Sequence, residues 1–193
     1  MSQLTRQSIN SHVKRSVHPF GLILFSILNL NAIKFPNCFY HFSRRSFVGD
    51  HHLIQGLIFV YRKNKKCFLR GMEAKQAISG QSLASLPKVR EFRGFVIAQE
   101  GGIAALVFRR GSMSCSFNFL TLVPSFENNY WLGYSTRNLQ EKPIGDQVTR
   151  LVCEHRGQNR SAILSTARNP GFCEADDLVP YHKTLLKPEE GFS

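Results

Sequence analysis

The clearest hydrophobic pattern in the chain predicts a β-hairpin over residues 91–109. Two apolar runs, residues 92–98 and 103–108, are rich in aromatic and β-branched residues, which is typical of strands. The intervening residues 99–102 read QEGG, and the two glycines supply the positive φ angles that a tight hairpin requires. Both runs are apolar at consecutive positions, so we expect both faces of the hairpin to be covered.

A third strand is predicted directly after the hairpin. The apolar side chains of Cys115, Phe117 and Phe119 alternate with polar ones, which is the period-2 pattern of a half-buried strand. A fourth, short strand is predicted over residues 130–134. Together with the hairpin, these segments predict an antiparallel meander over about residues 91–134.

Helical segments are predicted on either side of the meander. Residues 73–86 have a mild helical pattern, which Pro87 ends because its ring cannot continue a helix. Residues 146–156 place apolar side chains on one helical face, and Gly157 is a suitable stop. The alternative for this stretch is a second hairpin with residues 160–167. The predicted fold class is α+β, a small antiparallel meander with one or two covering helices, preceded by a basic, poorly ordered leader.

Charge divides the chain into two parts. The 193 residues carry a formal net charge of +12. Residues 1–72 contain 11 Lys and Arg but one acid, whereas the remainder contains 14 basic and 12 acidic residues. We therefore predict a basic leader over residues 1–71, targeting or disordered, and a small α+β domain with a loose C-terminal tail over residues 72–193. Met72 is an alternative start of the product.

The composition of the leader indicates a cellular location. Residues 1–49 contain no Asp or Glu and many serines, as organellar transit peptides do. Arg45, Ser46 and Phe47 also resemble the arginine-plus-aromatic end of a mitochondrial presequence. Five scattered cysteines favour a reducing compartment. We expect a mitochondrial location, with the cytoplasm as the alternative.

The longest apolar run, residues 19–33, is interrupted by polar residues. Spanning a bilayer takes about 20 predominantly apolar residues. We therefore expect no integral membrane span, although peripheral association through this run is an alternative.

Basic residues beside aromatic ones indicate where RNA would bind. Lys and Arg neutralise backbone phosphates, and neighbouring rings stack on bases. One dense cluster lies at residues 62–66, and a second group lies near the open end of the hairpin. The alternatives are a solvated loop for the first group and gatekeepers against aggregation for the second. The candidate nucleic-acid-binding residues are Arg62, Lys63, Lys65, Lys66, Arg93, Arg109 and Arg110.

Two groups of cysteine and histidine lack the spacing of a metal site. Structural zinc sites pair ligands two to four residues apart at both knuckles, and neither group does so. The sequence also lacks a phosphate-binding glycine loop, a nucleophile elbow and paired carboxylates outside the tail. We therefore predict no catalytic residue, metal or cofactor, and expect no enzymatic activity. The two groups are Cys38, His41, His51 or His52 and Cys67, and Cys153, His155, Cys173 and His182.

The leading functional hypothesis is a small basic organellar protein with an RNA- or ribosome-associated role. It predicts strongly salt-dependent RNA binding through the leader and the hairpin arginines, because each phosphate contact releases counterions. One alternative is an open reading frame product without a selected biochemical function, because a non-coding stretch would give a similarly biased leader. Another is a peripheral membrane-associated factor.

Overall fold

The described part of the chain forms a closed, antiparallel β-barrel of eight strands. Each strand pairs with its neighbours in sequence, and the first strand pairs with both the second and the eighth, which closes the sheet. The computed structural model describes residues 30–31, 34–47, 52–72, 90–110, 115–137 and 147–190.

The barrel strands follow one another in an up-and-down order. Seven to eleven residues per strand are enough to enclose a core, because each residue adds about 3.3 Å. The strands are β1 (Cys38–Arg45), β2 (Leu53–Lys63), β3 (Lys66–Met72), β4 (Glu91–Gln99), β5 (Gly102–Arg109), β6 (Cys115–Leu122), β7 (Tyr130–Arg137) and β8 (Val148–His155).

Alternate residues of every strand fill the interior. The inward side chains are mostly apolar and almost fully buried, and they form one continuous cluster around the barrel axis. Burial of this surface is the main favourable contribution to folding. Representative members from five strands are Tyr40, Val60, Val96, Leu120 and Cys153.

One end of the barrel is closed by the segment before β1. Phe35 stacks on Tyr40, with ring centroids 4.6 Å apart, and meets Trp131 edge-on at 5.3 Å. Arg62 holds this segment in place, because its Nη2 donates to the carbonyl oxygens of Phe35 at 2.7 Å and Leu30 at 3.3 Å. We call this end the closed end.

The C-terminal segment packs on the outside of the barrel. Asn159 caps helix α1 (Arg160–Arg168), because its side chain accepts a hydrogen bond from the backbone N–H of Ala162. Strand β9 (Gly171–Cys173) then adds to β2. A 3₁₀ turn leads to helix α2 (Pro180–Leu186), which starts with proline at its first position and buries His182 and Leu186 on one face.

The predicted α+β fold class is wrong, although the meander within it exists. Strands β4 to β7 lie where the meander was expected. They are half of a larger sheet, because β3 pairs with β4 on one side and β8 pairs with β7 on the other. The two α-helices among the described residues are short and lie beyond β8. The helix predicted over residues 73–86 lies outside the described residues.

The segment predicted as a helix over residues 146–156 contains β8 instead. Its burial does not alternate, because Val152 and Glu154 face outward yet are covered by the C-terminal segment. A strand buried on both faces loses the period-2 signal. The alternative hairpin is also wrong, since residues 160–168 form α1.

The prediction that the basic leader is poorly ordered is wrong for the part of the leader that the structure describes. Residues 38–72 supply β1, β2 and β3, and the barrel therefore takes strands from both sides of the boundary predicted at residues 71 and 72. Local patterns miss this because β1 is stabilised by residues more than 100 positions away in β8. Residues 1–29 lie outside the described part of the chain.

The outer face of the predicted hairpin is covered only partly by described residues. Phe95 and Phe108 stack there with ring centroids 6.4 Å apart, and Phe108 is 44% exposed. No helix among the described residues has the length and apolar character needed to cross a bilayer.

Candidate functional site

The barrel interior contains a cavity of about 120 Å³ that extends toward the end opposite the closed end. Its inner wall is apolar, and its outer part is lined by residues near the C-terminal ends of β1, β5 and β7. We call this outer part the mouth. Described residues of the inner wall include Phe42, Ile58, Leu69, Phe92, Val96 and Leu120.

Three arginines line the mouth. Arg44 comes from β1, Arg109 from β5 and Arg137 from β7. The guanidinium carbons of Arg44 and Arg137 lie 4.5 Å and 5.5 Å from the centroid of the same Phe47 ring. A ring beneath a guanidinium attracts its positive charge. Arg44 Nη1 also donates to the carbonyl oxygen of Arg45 at 2.7 Å.

Neutral polar side chains from β6 and β7 also line the cavity. They are Ser116 and Asn118 on β6 and Ser135 on β7. Ser135 Oγ donates a hydrogen bond to Asn118 Oδ1 at 2.5 Å. The described lining of the cavity thus combines apolar side chains, neutral polar side chains and three arginines.

Two of these arginines belong to Arg–Arg dipeptides, and the alternation of side chains along a strand decides which arginine of the dipeptide faces the cavity. In the Arg44–Arg45 pair, Arg44 faces inward with its neighbour Phe42. In the Arg109–Arg110 pair, Arg109 faces inward, whereas Arg110 forms an ion pair with Glu91 at 3.6 Å. A basic dipeptide near a strand end therefore places one guanidinium at the mouth.

A second group of functional side chains lies between the barrel wall and α2. We call it the polar cluster, and it consists of His41 and Ser43 on β1, Glu154 on β8, Arg156 just after β8, and His182 on α2. All except Arg156 are at most 6% exposed. The rings of His41 and His182 stack with centroids 4.6 Å apart.

Contacts within the polar cluster fix the tautomer of His41. Arg156 Nη2 lies 2.9 Å from His41 Nδ1, and an arginine can only donate, so Nδ1 is the unprotonated acceptor. The other nitrogen then carries the hydrogen and donates to Gln55 Oε1 at 3.2 Å. Neutral His41 is therefore the form that these neighbours select.

The pKa of His41 agrees with a neutral imidazole. Burial, with smaller contributions from His182 and Arg156, lowers the pKa of His41 to about 4. For Glu154, burial alone would raise the pKa, but contact with His182 and the Arg156 charge outweigh it and the pKa lies below its usual range. Arg156 Nη1 lies 2.9 Å from Glu154 Oε1, so the buried carboxylate has a direct counter-charge.

His182 connects α2 to both barrel strands. Ser43 Oγ lies 2.7 Å from His182 Nδ1, and Glu154 Oε2 lies 3.3 Å from His182 Nε2. The second pair is close but not aligned as a hydrogen bond, and we treat its attraction as electrostatic. The polar cluster thus fastens the last helix onto β1 and β8.

Side chains of the kind that hold metals meet in the polar cluster. One ligand atom from each of His41, Glu154 and His182 lies within 4.8 Å of the others. Both nitrogens of His41 already have partners, and Arg156 already balances the carboxylate. A divalent ion would add buried positive charge beside a guanidinium, so the arrangement fits a neutral hydrogen-bonded network better than a metal centre.

The structure divides the candidate nucleic-acid-binding residues between the two ends of the barrel. Lys63, Lys65 and Lys66 lie at the β2–β3 turn, next to the closed end, and Arg62 is engaged with the closing segment. The arginines of the hairpin lie at the mouth end, some seven to nine residues or roughly 25 Å away along the strands. Arg93 is paired with Glu91, at 2.8 Å.

The two cysteine–histidine groups of the sequence are not brought together as groups. Cys67 and Cys153 face the barrel interior, where burial raises their pKa values to about 11 and about 12. The contact that the structure does show is the stacking of His41 from the first group on His182 from the second, two residues that are 141 positions apart. No spacing rule identifies such a pair, nor its partners Glu154 and Arg156.

Comparison of the sequence with protein-family models gives no match, and comparison with curated proteins gives none either. Function is therefore inferred from the cavity and the polar cluster.

Proposed function

We propose that this protein is a binding protein that takes up a small, largely apolar molecule inside its barrel. The observation that carries the proposal is the cavity of about 120 Å³, apolar within and polar at its mouth. Ligand sites in proteins are typically apolar clefts with a few convergent polar groups. The proposal replaces RNA binding as the leading hypothesis, because the candidate RNA-binding residues are divided between the two ends of the barrel.

The size of the barrel supports this role. Eight strands give an interior that is either filled by side chains or able to hold one small ligand. Here the closed end is filled by Phe35, Tyr40 and Trp131, whereas space is left between Phe42 and the mouth. An apolar cavity of about 150 Å³ is sufficient to bind benzene in another protein. A ligand the size of one ring or a short alkyl chain therefore suits the cavity.

The only tryptophan of the chain provides a reporter for the test. Trp131 is 3% exposed and belongs to the same interior cluster as the cavity wall. The full chain is titrated with 1-octanol while Trp131 emission and the melting temperature are recorded. We expect a saturable change in emission and a higher melting temperature, since a ligand that binds only the folded state stabilises it.

Matched variants on β5 locate the binding. Val107→Phe adds volume inside the cavity. Leu106→Phe introduces the same residue one position earlier, where the side chain lies on the outer face of the barrel. We expect Val107→Phe to weaken octanol binding by an order of magnitude or more and Leu106→Phe to leave it unchanged. The absence of saturable binding, or equal binding by a folded Val107→Phe variant, would overturn the proposal.

A further inference from the structure

We infer that the natural ligand carries a carbonyl oxygen, which accepts a hydrogen bond from the side-chain amide of Asn118 inside the barrel. This inference rests on the proposed function and adds the chemical class of the ligand, an apolar molecule with a ketone, aldehyde or ester group. It depends on uncharged donors in the cavity wall. The mouth arginines contribute nothing to it, because Arg44, Arg109 and Arg137 each already have an interaction partner.

The first observation is the orientation of the Asn118 side chain. Its carbonyl oxygen Oδ1 lies 2.5 Å from the hydroxyl of Ser135 on the neighbouring strand β7. This distance is at the short end of the range for O–H···O hydrogen bonds and is shorter than N–H···O hydrogen bonds are. The serine therefore bonds to Oδ1 of the amide, and the two N–H groups of Nδ2 point away from the serine.

The second observation is that these two N–H groups are unused. No described residue accepts a hydrogen bond from Asn118 Nδ2, and the side chain lines the cavity. A donor that faces a mainly apolar space needs an acceptor from the molecule that fills this space, because an unpaired donor costs its full desolvation free energy. The ligand is therefore expected to supply that acceptor.

The third observation is the distribution of polar groups around the cavity wall. Ser116 lies two residues before Asn118 on β6 and lines the same cavity, and its hydroxyl has no hydrogen-bond partner among the described residues. A ligand that is largely apolar and presents a carbonyl oxygen toward β6 matches this wall. Strands β3 and β4 line the cavity with apolar side chains alone, which are Leu69, Met72, Phe92 and Val96.

The carbonyl stretching frequency of bound cyclohexanone tests the inference in the unmodified protein. A hydrogen bond to the carbonyl oxygen weakens the C=O bond and lowers this frequency. The full chain is saturated with the ketone, as judged from Trp131 emission, and the infrared band of the bound ketone is compared with that of the ketone in cyclohexane. We expect a lower frequency in the protein. Equal frequencies would overturn the assignment.

Two variants assign the hydrogen bond to Asn118. Asn118→Asp keeps the shape and the acceptor for Ser135 but removes both N–H donors, and Asn118→Leu removes the amide altogether. In both variants we expect the carbonyl frequency to move toward its value in cyclohexane. Asn64→Asp is the control, because this exposed residue lies in the β2–β3 turn and the substitution changes the net charge as Asn118→Asp does.

Affinities measured with a hydrocarbon of the same shape complete the test. Methylenecyclohexane has a CH₂ group in place of the ketone oxygen and cannot accept a hydrogen bond. We expect the ketone-to-hydrocarbon affinity ratio to fall on the order of tenfold in each Asn118 variant and to stay unchanged in Asn64→Asp. Comparing this ratio between proteins cancels the different hydration of the two probes.

The outcomes separate this inference from the proposed function. If both probes bind but the affinity ratio is the same in the unmodified chain and the folded Asn118 variants, the carbonyl assignment is wrong while the cavity function stands. Binding of the hydrocarbon alone has the same meaning. If neither probe binds, both are wrong. An equal fall of the ratio in Asn64→Asp also contradicts the assignment. The infrared comparison in the unmodified chain decides the question even if a variant does not fold.

Discussion

At the scale of single residues, the protonation state of His41 is the feature with the clearest consequence. Its Nδ1 accepts from Arg156, its ring stacks on His182, and it is 2% exposed. Protonation would remove the acceptor and place a second positive charge beside the guanidinium. Buried groups whose neighbours favour one protonation state make folding depend on pH.

The sign of this dependence follows from the pKa of His41. In the unfolded chain the imidazole has a pKa near its ordinary value of 6.5, whereas in the folded chain the pKa is about 4. Between these values the unfolded state binds more protons, so stability falls as pH decreases from about 6.5 to about 4. The shift corresponds to a loss on the order of 3 kcal/mol. The lowered pKa of Glu154 extends the loss to still lower pH.

His41→Asn tests this account, because Asn keeps an acceptor near the position of Nδ1 but does not titrate. We expect the free energy of unfolding, measured by denaturant titration, to depend less steeply on pH between 6.5 and 4 in the variant. His52→Asn is the control, since that side chain is 54% exposed and lies at the edge of the barrel. An unchanged pH slope in His41→Asn would show that another group is responsible.

At the scale of elements, β1 is the strand on which the barrel depends. It pairs with β2 along its full length and with β8 over five residues, so it has no free edge. It also carries Arg44 into the mouth and His41 and Ser43 into the polar cluster. Removing it would leave β2 and β8 as exposed edges, which is a state prone to aggregation.

Because the barrel depends on β1, a removable targeting segment must leave that strand intact. A cut after Phe47, at the end of the presequence-like tripeptide, would remove β1 and the closing segment. A product starting at Met72 would lack three strands. A removable presequence that preserves the described fold therefore ends before Leu30, whose side chain is buried at the closed end.

We expect a chain starting at residue 48 to lose cooperative thermal unfolding, because the sheet no longer closes. A chain starting at residue 30 retains the closing segment and β1 and is the matched comparison. Circular dichroism follows the transition in both, and the dispersion of amide NMR signals reports a packed core. A cooperative transition in the shorter chain would mean that β1 is not needed for closure.

At the scale of the whole molecule, basic residues lie at both ends of the barrel, and an RNA-associated role stays a prediction. The lysines of the β2–β3 turn are exposed, and their arrangement is independent of the cavity. Such a cluster gives sequence-independent binding to phosphates. An RNA role and a ligand role are thus separable by mutation.

If RNA binds, we expect the triple variant K63Q, K65Q and K66Q to weaken it and to make its dependence on salt less steep, since fewer counterions are released. The control is R160Q, R168Q and K183Q, which removes the same charge from the two C-terminal helices. Fluorescence anisotropy of a labelled single-stranded RNA measures both. Equal weakening by the two triple variants would indicate a general charge effect and no local site.

The sequence by itself determined the local elements of the central sheet. Strands β4 and β5 are predictable because both are rich in aromatic and β-branched residues and because the turn between them contains Gly101, whose φ is +75°. Strand β6 is predictable because apolar and polar residues alternate along it. These signals arise from neighbouring residues, and neighbours are what a linear pattern records. The basic dipeptides near strand ends were visible as charge, but not as inward or outward groups.

Only the tertiary structure decided how the sheet ends, what it encloses and which side chains meet. Closure pairs Tyr40 with His155, and the polar cluster joins His41 with His182, contacts that no local pattern encodes. Burial of both faces of β8 also erased the alternation that would have identified it as a strand. The mouth arginines came together because three separate strands end at one rim, which is a property of the closed barrel and not of any segment.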